Sequence, residues 1–470
     1  MGQLTLHRCA IGGRQSEGLP SAAAWCTSVP VPEDWDNPHS RHIALAVALV
    51  LAQTASAAPD LVAFLDGGPG GAAREDYPTI AAALAPLRER HSLVLVDQRG
   101  TGGSNALDCA ALGGGAAPNA PADSADAPQI APVLRQCLAQ LAPRAAPQFY
   151  TTTAAVRDLE AVRQALGSPQ LDLLGISYGT RVAQQYAASY PHAVRSVVLD
   201  SPVPNRLALL SEHARNLDHA LQLLFAQCRA SAPCAARFGD SYATLYRLRD
   251  RLRGAPVSVS LPDPVSYAPL HVTLTAADLA DVVRFDAYNG LTAALLPLML
   301  DEAQQGNYVP LLGQKTLLAS DLADQITSGE ELSVLCAEDA DLLAPRPEDA
   351  NSLLGNDAIT RAQAACQLWP RDSRPAGFHA PFHSDLPVLV LDGELDPVTP
   401  PAYGAEIVRG LSRARRLLVA GEGHGVIGAG CVPRLVSSFV ETLDAAHLDA
   451  DCLKRLGSIP AFLDYNGASP

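Results

Sequence analysis

The sequence predicts an α/β fold in which a mostly parallel, doubly wound sheet carries an inserted, mainly helical segment. Short apolar runs that are typical of buried strands alternate with helical patterns in the first 204 residues and again from residue 384. Strands that are apolar on both faces are typical of parallel sheets covered by helices on both sides. Helical patterns dominate the stretch between, so we predict a core formed by residues 1–204 and 384–470 and a helical cap formed by residues 205–383.

The composition excludes several classes of function. The chain has 470 residues, of which 48% are hydrophobic, so it can bury a large core. Its formal net charge of −15 would repel the phosphates of a nucleic acid, and no basic cluster offsets that charge. No apolar run reaches the length that spans a bilayer. We therefore expect neither a nucleic-acid partner nor a membrane partner.

The ten cysteines fall into five pairs of sequential near neighbours. An even count with such local pairing indicates disulfides and an oxidising compartment, and ten buried thiols in a cytosolic enzyme are the alternative. The expected disulfides are Cys9–Cys26, Cys109–Cys137, Cys228–Cys234, Cys336–Cys366 and Cys431–Cys452. Residues 1–9 lack the features of a signal peptide, so we expect a secreted or periplasmic protein whose signal peptide has been removed.

The first strands are expected to form an antiparallel edge of the sheet. Residues 25–31 and 42–51 read as two strands joined by a turn rich in Pro, Asp and Asn. Residues 60–65 and 92–96 are the first apolar runs of the parallel type. The earlier of these ends in Gly67-Gly-Pro-Gly-Gly71, whose backbone N–H groups suit an oxyanion hole, and a plain turn is the alternative.

The loop after the second apolar run, Asp97-Gln-Arg-Gly-Thr-Gly102, contains charged side chains that are candidates for catalysis. We interpret Asp97 and Arg99 instead as a structural pair that fixes this loop. Residues 110–131 show no periodicity and predict an irregular surface loop. Residues 151–166 predict a helix, which a threonine can cap and Gly167 can end.

The most informative stretch surrounds Ser177. An apolar run at residues 171–176 precedes this serine, a helical run at residues 181–190 follows it, and Gly175 and Gly179 bracket it in the pattern G-x-S-x-G. Between a strand and a helix, this pattern predicts a nucleophile elbow, in which a strained turn points the serine hydroxyl out of the sheet. A Gly-Ser turn without a catalytic role is the alternative.

A serine hydroxyl needs a base to take its proton, and the base needs an acid to hold its tautomer. His424 lies between two glycines just after a late apolar strand, and we predict that it is the base. Asp396 follows the preceding strand, so Ser177, Asp396 and His424 occur in a known chain order of catalytic triads. The other carboxylates that follow strands, and remain alternatives for the acid, are Asp392, Glu394 and Asp200.

Four segments together resemble the proline iminopeptidase and tripeptidyl aminopeptidase branch of the α/β-hydrolase serine peptidases. These segments are Gly67–Gly71, Asp97–Gly102, Gly175–Thr180, and Asp396-Pro-Val-Thr-Pro400 with Gly423-His-Gly425. The resemblance implies an α/β-hydrolase fold, and it implies that Asp396, which opens a D-P motif, is the triad acid. It also implies that the backbone N–H groups of Gly68 and Tyr178 form the oxyanion hole. The sequence departs from the family at Asp66, where His or Asn usually precedes the double glycine, and a carboxylate there is expected either to weaken catalysis or to bind a substrate cation.

The resemblance further implies release of residues from the N-termini of peptides through an acyl-enzyme. Such an enzyme must recognise a free α-ammonium group. Glu338 is the first candidate for that role and Asp339 the second, and an exposed acidic pair without function is the alternative. Glu75 and Asp76, near the glycine loop, are weaker candidates.

No residues have the compact spacing of a metal site, so we expect no metal and no organic cofactor. The expected partners are peptides with a free N-terminus, and the expected oligomeric state is a monomer. An esterase or small-molecule hydrolase with the same triad is the main alternative, because fold and triad do not determine the substrate. A non-catalytic binding protein on the same scaffold is the third hypothesis.

Overall fold

The computed structural model describes residues 2, 4–12, 21–109, 127–262 and 267–468, with the backbone alone at residues 127–129 and 318–325. Most of the predicted surface loop at residues 110–131 lies outside the described residues. Its last residues belong to a helix that begins at Ala127.

The centre of the protein is a sheet of nine strands. The strands of the described residues are, in chain order, β1 (His7–Ile11), β2 (Ala22–Pro32), β3 (His42–Val50), β4 (Leu61–Leu65), β5 (Ser92–Val96), β6 (Leu171–Ile176), β7 (Val194–Asp200), β8 (Val257–Pro262), β9 (Pro269–Leu274), β10 (Ser384–Gly393) and β11 (Leu411–Val419). Strands β8 and β9 form a separate antiparallel hairpin, and the others lie in the order β1-β2-β3-β5-β4-β6-β7-β10-β11.

The large sheet is mostly parallel, as predicted. Strands β5, β4, β6, β7, β10 and β11 are parallel to one another. Strands β1, β2 and β3 form an antiparallel edge, and β3 joins it to β5. The carboxyl ends of the parallel strands therefore meet at one edge of the sheet, which is where α/β sheets place their ligand sites.

Helices cover both faces of this sheet and build most of the inserted segment. They are α1 (Ala73–Ile80), α2 (Ala85–Arg88), α3 (Ala127–Leu141), α4 (Thr152–Leu166), α5 (Tyr178–Ser189), α6 (His213–Ala230), α7 (Ala232–Phe238), α8 (Ser241–Gly254), α9 (Ala276–Asp286), α10 (Gly290–Ala293), α11 (Leu296–Gln304), α12 (Val309–Gln325), α13 (Ser328–Glu338), α14 (Asp357–Cys366), α15 (Pro401–Ile407) and α16 (Val432–Thr442). The start and end of α4 are as predicted. The Thr151 side chain caps its start, and Gly167, with φ 69°, ends it.

Strand β4 shows why the core strands read as continuous apolar runs. Leu61 and Ala63 pack into the hydrophobic cluster on one face of the sheet. Val62 and Phe64, which alternate with them, pack into the cluster on the other face. Both faces are covered by helices, so both sets of side chains are buried.

The segment between β7 and β10 has a hydrophobic cluster of its own, to which α6, α8, α9, α11 and β9 contribute. This segment also contains the antiparallel β8–β9 hairpin, an element that the prediction of a mainly helical segment did not include. Helices α13 and α14 instead pack into the cluster on one face of the large sheet. The division into a core and a cap at residues 205–383 stays a prediction.

All five predicted disulfides are present, with Cα–Cα distances between 5.0 and 6.4 Å. They use all ten cysteines, so none is free. Across the described residues, no helix combines the length and the apolar character that crossing a membrane requires.

Candidate active site

The turn between β6 and α5 holds Ser177 in a strained backbone conformation, with φ 54° and ψ −123°. Glycine is required on both sides of it. A β-carbon at Gly175 would lie 2.5 Å from the Gly179 carbonyl oxygen, and one at Gly179 would lie 2.1 Å from the Leu65 carbonyl oxygen. Strand, turn and helix therefore have the close packing of a nucleophile elbow.

His424 and Asp396, from the loops after β11 and β10, are in direct contact. The Nδ1 atom of His424 lies 2.8 Å from one carboxylate oxygen of Asp396 and 3.0 Å from the other. The carboxylate also accepts hydrogen bonds from the N–H groups of Val398 and Thr399, both at 2.8 Å. The backbone N–H of His424 also donates to the Tyr288 backbone carbonyl oxygen at 2.8 Å. The orientation of the imidazole is therefore determined by contacts that are already made within the protein.

Two opposing effects act on the pKa of His424. Burial by itself lowers this pKa, because it penalises the charged imidazolium. The negative charges of Asp396 and Asp200 outweigh burial and raise the pKa above the usual 6.5. The surroundings thus stabilise the imidazolium that forms when a base takes a proton from a serine.

The other candidate acids have structural roles. The carboxylate of Asp200 accepts hydrogen bonds from two backbone N–H groups of the loop after His424, at 2.7 and 2.9 Å. Asp392 pairs with Arg416. Glu394 accepts a hydrogen bond from a backbone N–H group at 2.8 Å. These contacts favour Asp396 as the partner of the imidazole, as the D-P motif predicts.

The end of β7 connects the Ser177 turn to the His424 loop. The Asp200 carbonyl oxygen accepts a hydrogen bond from the Ser177 N–H at 3.0 Å. Its carboxylate accepts hydrogen bonds from the N–H groups of Val426 and Ile427, just beyond His424. The structure thus brings the three predicted triad residues to one edge of the sheet, and the proton transfer between Ser177 and His424 stays a prediction.

The glycine loop after β4 lies directly beside the serine. A β-carbon at Gly67 would lie 3.2 Å from the Ser177 Cβ and 3.8 Å from its Oγ. Gly68 has φ 110°, and a β-carbon there would lie 2.6 Å from the Gly70 nitrogen. The Gly70 carbonyl oxygen accepts a hydrogen bond from the Thr327 N–H at 3.0 Å, which ties the loop to the start of α13. This position suits the predicted oxyanion role of Gly68.

Tyr178, the other predicted oxyanion donor, is the first residue of α5, so its N–H follows the serine directly. Its side chain points into the protein and is buried. The phenol is hydrogen-bonded to the Thr152 hydroxyl at 2.6 Å and to the Gln98 amide at 3.2 Å. The phenol therefore fixes the start of the helix, while the oxyanion role of the N–H stays a prediction.

Asp66, the residue that departs from the family pattern, is hydrogen-bonded inside the loop. Its carboxyl group accepts a hydrogen bond from the Gly67 N–H at 2.8 Å. Burial raises the pKa of Asp66. Burial, and then repulsion from Asp66, raise the pKa of Asp76 to about 10. These shifts favour a protonated Asp76 carboxyl group at neutral pH.

Asp97 and Arg99 fix their loop, each through a different partner. The Asp97 carboxylate accepts hydrogen bonds from the Arg74 N–H at 2.9 Å and from its guanidinium at 3.3 Å. The Arg99 guanidinium donates two hydrogen bonds to the Asp158 carboxylate, at 2.6 and 2.7 Å. Their structural interpretation agrees with these contacts.

Glu338 and Asp339, the candidate amine-binding residues, are buried, so the alternative of an exposed acidic pair is wrong. Glu338 accepts hydrogen bonds from the Thr152 N–H at 2.6 Å and from its hydroxyl at 2.9 Å. Asp339 accepts hydrogen bonds from the Arg181 guanidinium and the Leu209 N–H, both at 3.0 Å. Both carboxylates already have partners within the protein, and their binding of a substrate amine stays a prediction.

Four side chains that no sequence motif marks are linked to the proposed base by contact or by charge. They are Tyr288, Arg284, His213 and Glu331. The Tyr288 ring meets the His424 ring edge-on, with centroids 5.0 Å apart, and its hydroxyl lies 3.4 Å from an Arg284 nitrogen. Electrostatic effects of Arg284 reach His213, whose pKa is lowered to about 3 first by burial and then by that charge. Arg284 also opposes the burial that raises the pKa of Glu331. These residues lie in the inserted segment, where no motif marks them.

One group of side chains has the composition of a metal site. Asp60, His91 and Asp172 lie together at the amino ends of the strands, opposite the Ser177 edge, and they are the one such cluster found among the described residues. A guanidinium nitrogen of Arg195 lies 3.0 Å from a carboxylate oxygen of each aspartate. Arg195 therefore occupies the place where a cation would bind.

A serine in a strained turn beside a glycine loop and a buried Asp–His pair is the arrangement of a serine hydrolase, and the protein is an enzyme of that class. A family model described as alpha/beta hydrolase fold matches residues 60–428. The chain belongs to the α/β-hydrolase family.

Known proteins that resemble the chain include peptidases. It is 26% identical over 464 residues to serine protease Hip1 of Mycobacterium tuberculosis, covering 89% of this chain and 85% of that protein. It is 28% identical over 268 residues to a tripeptidyl aminopeptidase of Streptomyces lividans, covering 52% of this chain and 48% of that protein. Among solved structures, a proline iminopeptidase of Mycobacterium smegmatis aligns with 89% of this chain and 99% of its own, at 17% identity and a TM-score of 0.40.

Proposed function

We propose that the protein is a serine exopeptidase that releases residues from peptide N-termini, as a prolyl aminopeptidase or a di- or tripeptidyl aminopeptidase. The observation that carries the proposal is the contact of His424 with Asp396 at the sheet edge where Ser177 stands in its strained turn. The similarity to a serine protease over most of the chain, and to a tripeptidyl aminopeptidase over half of it, supports peptides as the substrates.

In the proposed reaction Ser177 attacks the scissile carbonyl carbon while His424 takes the hydroxyl proton. His424 then returns this proton to the leaving amine, and an acyl-enzyme remains on the serine oxygen. Water, activated by the same imidazole, hydrolyses the acyl-enzyme and regenerates the serine. The N–H groups of Gly68 and Tyr178 bind the oxyanion, and each such donor stabilises the transition state by about 3 kcal/mol.

An exopeptidase of this kind must also bind a free α-ammonium group. Glu338 and Asp339 are the candidates from the sequence, and their use would require exchange of their present hydrogen bonds. A further acidic group is Glu331, a partly exposed carboxyl group in the first turn of α13, on whose pKa the charge of Arg284 acts. We add Glu331 to the candidates for the amine site, beside Glu338, Asp339 and the weaker Glu75 and Asp76.

The nucleophile is tested by comparing two serines of the same turn and helix. Ser177→Ala is expected to abolish peptide turnover and labelling by a fluorophosphonate probe, with an unchanged thermal midpoint. Ser189→Ala changes an exposed serine at the end of α5 and is expected to leave both readouts at the wild-type level. A Ser177→Ala variant that keeps a tenth of the wild-type activity would contradict the assignment.

The substrate class is tested with a peptidyl anilide that has a free N-terminus, its N-acetylated counterpart and a simple nitrophenyl ester. The exopeptidase is expected to cleave the free anilide far faster than the acetylated one. Equal cleavage of both anilides would contradict the exopeptidase proposal, and turnover of the ester alone would favour the esterase alternative.

We also propose that the protein is secreted or periplasmic and acts as a monomer. The five disulfides support an oxidising compartment, because cytosolic thiols are kept reduced. Protein purified from that compartment and denatured without reductant is expected to show no thiol that reacts with maleimide. Light scattering is expected to give the mass of one chain.

A further inference from the structure

We propose that Arg284 forms a subsite for a carboxylate group of the substrate, beside Tyr288 and next to the proposed base. The inference rests on the proposed function and adds a specificity determinant to it. Arg284 lies in the last turn of α9, and one of its guanidinium nitrogens lies 3.4 Å from the Tyr288 hydroxyl. On its other side, the Tyr288 ring meets the His424 ring edge-on, with the ring centroids 5.0 Å apart. Arg284 is thus separated from the proposed base by one aromatic ring.

Within the described part of the chain, the guanidinium of Arg284 lacks the carboxylate partner that the fully buried Arg99 and Arg181 have. Arg99 lies 2.6 Å from an Asp158 oxygen, and Arg181 lies 3.0 Å from an Asp339 oxygen. Among the side chains that the structure describes, no carboxylate is within ion-pair distance of Arg284. The Arg284 guanidinium instead contacts the Tyr288 hydroxyl and the ring of its neighbour Phe285, whose centroid lies 5.0 Å from the guanidinium carbon.

The side chain of Arg284 is half-buried, and a guanidinium that has lost part of its hydration is stabilised when an anion pairs with it. The carboxylates of Asp281 and Glu331 raise the pKa of Arg284 through their charge, from beyond ion-pair distance. Of the ligands that a substrate can bring, a carboxylate matches the planar fork of donors best, because it accepts two parallel hydrogen bonds. Arg284 is therefore arranged to receive a carboxylate from the substrate.

The charge of Arg284 also reaches the proposed catalytic base. It lowers the pKa of His424 and contributes to the lowered pKa of His213. A substrate carboxylate bound to Arg284 would neutralise this effect and raise the pKa of His424. Occupation of the subsite is thus expected to change proton affinity at the reacting centre as well as substrate affinity.

Two parts of a peptide can supply the carboxylate. One is an Asp or Glu side chain among the first residues, and the other is the C-terminal carboxylate of a short peptide. The experiment measures affinity by calorimetry on full-length Ser177→Ala protein, which binds without turnover. One arm compares peptide amides with Glu or Gln at each of the first three positions. The other arm compares a tripeptide that has a free C-terminus with its amide.

In the arm whose carboxylate binds Arg284, the carboxylate peptide is expected to bind roughly tenfold to hundredfold more tightly than its neutral counterpart. Adding Arg284→Gln is expected to remove this preference without changing the affinity for the neutral peptide, and Arg284→Lys is expected to reduce the preference. Arg253→Gln, at an exposed arginine of α8, is the matched control and is expected to keep it. The arm that shows the preference identifies the source of the carboxylate.

The proposal is overturned if no carboxylate peptide is preferred or bound, or if the preference survives Arg284→Gln in a protein with an unchanged thermal midpoint. Fluorophosphonate labelling of the wild-type serine tests the proposed function separately. Labelling without a carboxylate preference would overturn the subsite and leave the hydrolase function standing. A carboxylate preference without labelling would support the subsite and contradict the function.

Discussion

The Asp396 carboxylate holds the His424 imidazole through both of its oxygens, at 2.8 and 3.0 Å from Nδ1. The hydroxyl of Thr399 donates to the same carboxylate at 2.8 Å. So many donors around one buried carboxylate restrict its rotation and that of the imidazole. The tautomer that this contact selects leaves Nε2 unprotonated and able to take a proton from a serine.

Asp396→Asn is expected to lower kcat/KM by a factor on the order of 10⁴, because an amide selects the wrong imidazole tautomer. Asp392→Asn is the matched control, four positions earlier at the end of β10. Asp392 pairs with Arg416, and its pKa is raised to about 7, mainly by burial, so a neutral amide is a close substitute. Rates measured on a free-amine anilide should fall for the first variant alone, and equal losses would contradict the assignment of the acid.

The pH dependence of the wild-type enzyme should report the same contact. His424 must be neutral to act as a base, and the charges of Asp396 and Asp200 raise its pKa above 6.5 in spite of burial. We expect kcat/KM to fall as the pH decreases through a midpoint above 6.5, measured on a substrate that does not titrate there. A midpoint clearly below that value would show that burial dominates.

Gly179→Ala is expected to destabilise the fold by about 1–3 kcal/mol and to impair turnover, because its β-carbon would lie 2.1 Å from the Leu65 carbonyl oxygen. Gly313→Ala is a suitable control, since a β-carbon there meets no atom within 4 Å inside helix α12. The control should stabilise by about 0.5–1 kcal/mol, because alanine favours a helix interior more than glycine does. Urea unfolding of both variants measures the difference, and similar effects would refute the steric argument.

The half-buried carboxyl groups of Asp66 and Asp76 should make stability depend on pH. The pKa of Asp76 is raised from 3.8 to about 10, so its contribution to stability is complete below pH 3.8 and is lost as the pH rises through 10. Asp76→Asn, which carries no charge at any pH, should therefore have a higher thermal midpoint than the wild type at pH 8. This difference should shrink towards pH 4. Asp372→Asn, at an exposed carboxylate, should show no such trend.

The disulfides should differ in their contribution to stability. Cys336 and Cys366 are 30 positions apart and join α13 to α14, whereas Cys228 and Cys234 are only 6 positions apart. On the chain-entropy argument, replacing each pair by alanine should cost about 3.5 kcal/mol for the longer loop and about 2 kcal/mol for the shorter one. Guanidinium unfolding of the two double variants tests the order, and a larger loss for the short loop would contradict it.

Much of the sheet and its serine turn could be predicted because the signals are local. Strands β5 and β6 occupy the predicted ranges, since a buried parallel strand is marked by its own run of apolar residues. The glycines at positions 175 and 179 are required by steric contacts within a single turn and its neighbouring strand. The disulfides could also be predicted, because the partners of each pair are near neighbours in the sequence.

What the tertiary structure decided depends on contacts between distant parts of the chain. Glu338 is buried because it binds Thr152, which lies 186 positions away, and no local pattern indicates that partner. Arg284 and Tyr288 come to the proposed base only because the inserted segment folds back over the sheet edge, where the His424 N–H meets the Tyr288 carbonyl oxygen. The sequence by itself thus determined the chemistry of the site and its order along the chain. The tertiary structure decided which side chains of the segment between β7 and β10 lie near the proposed base, because their placement depends on long-range packing rather than on local periodicity.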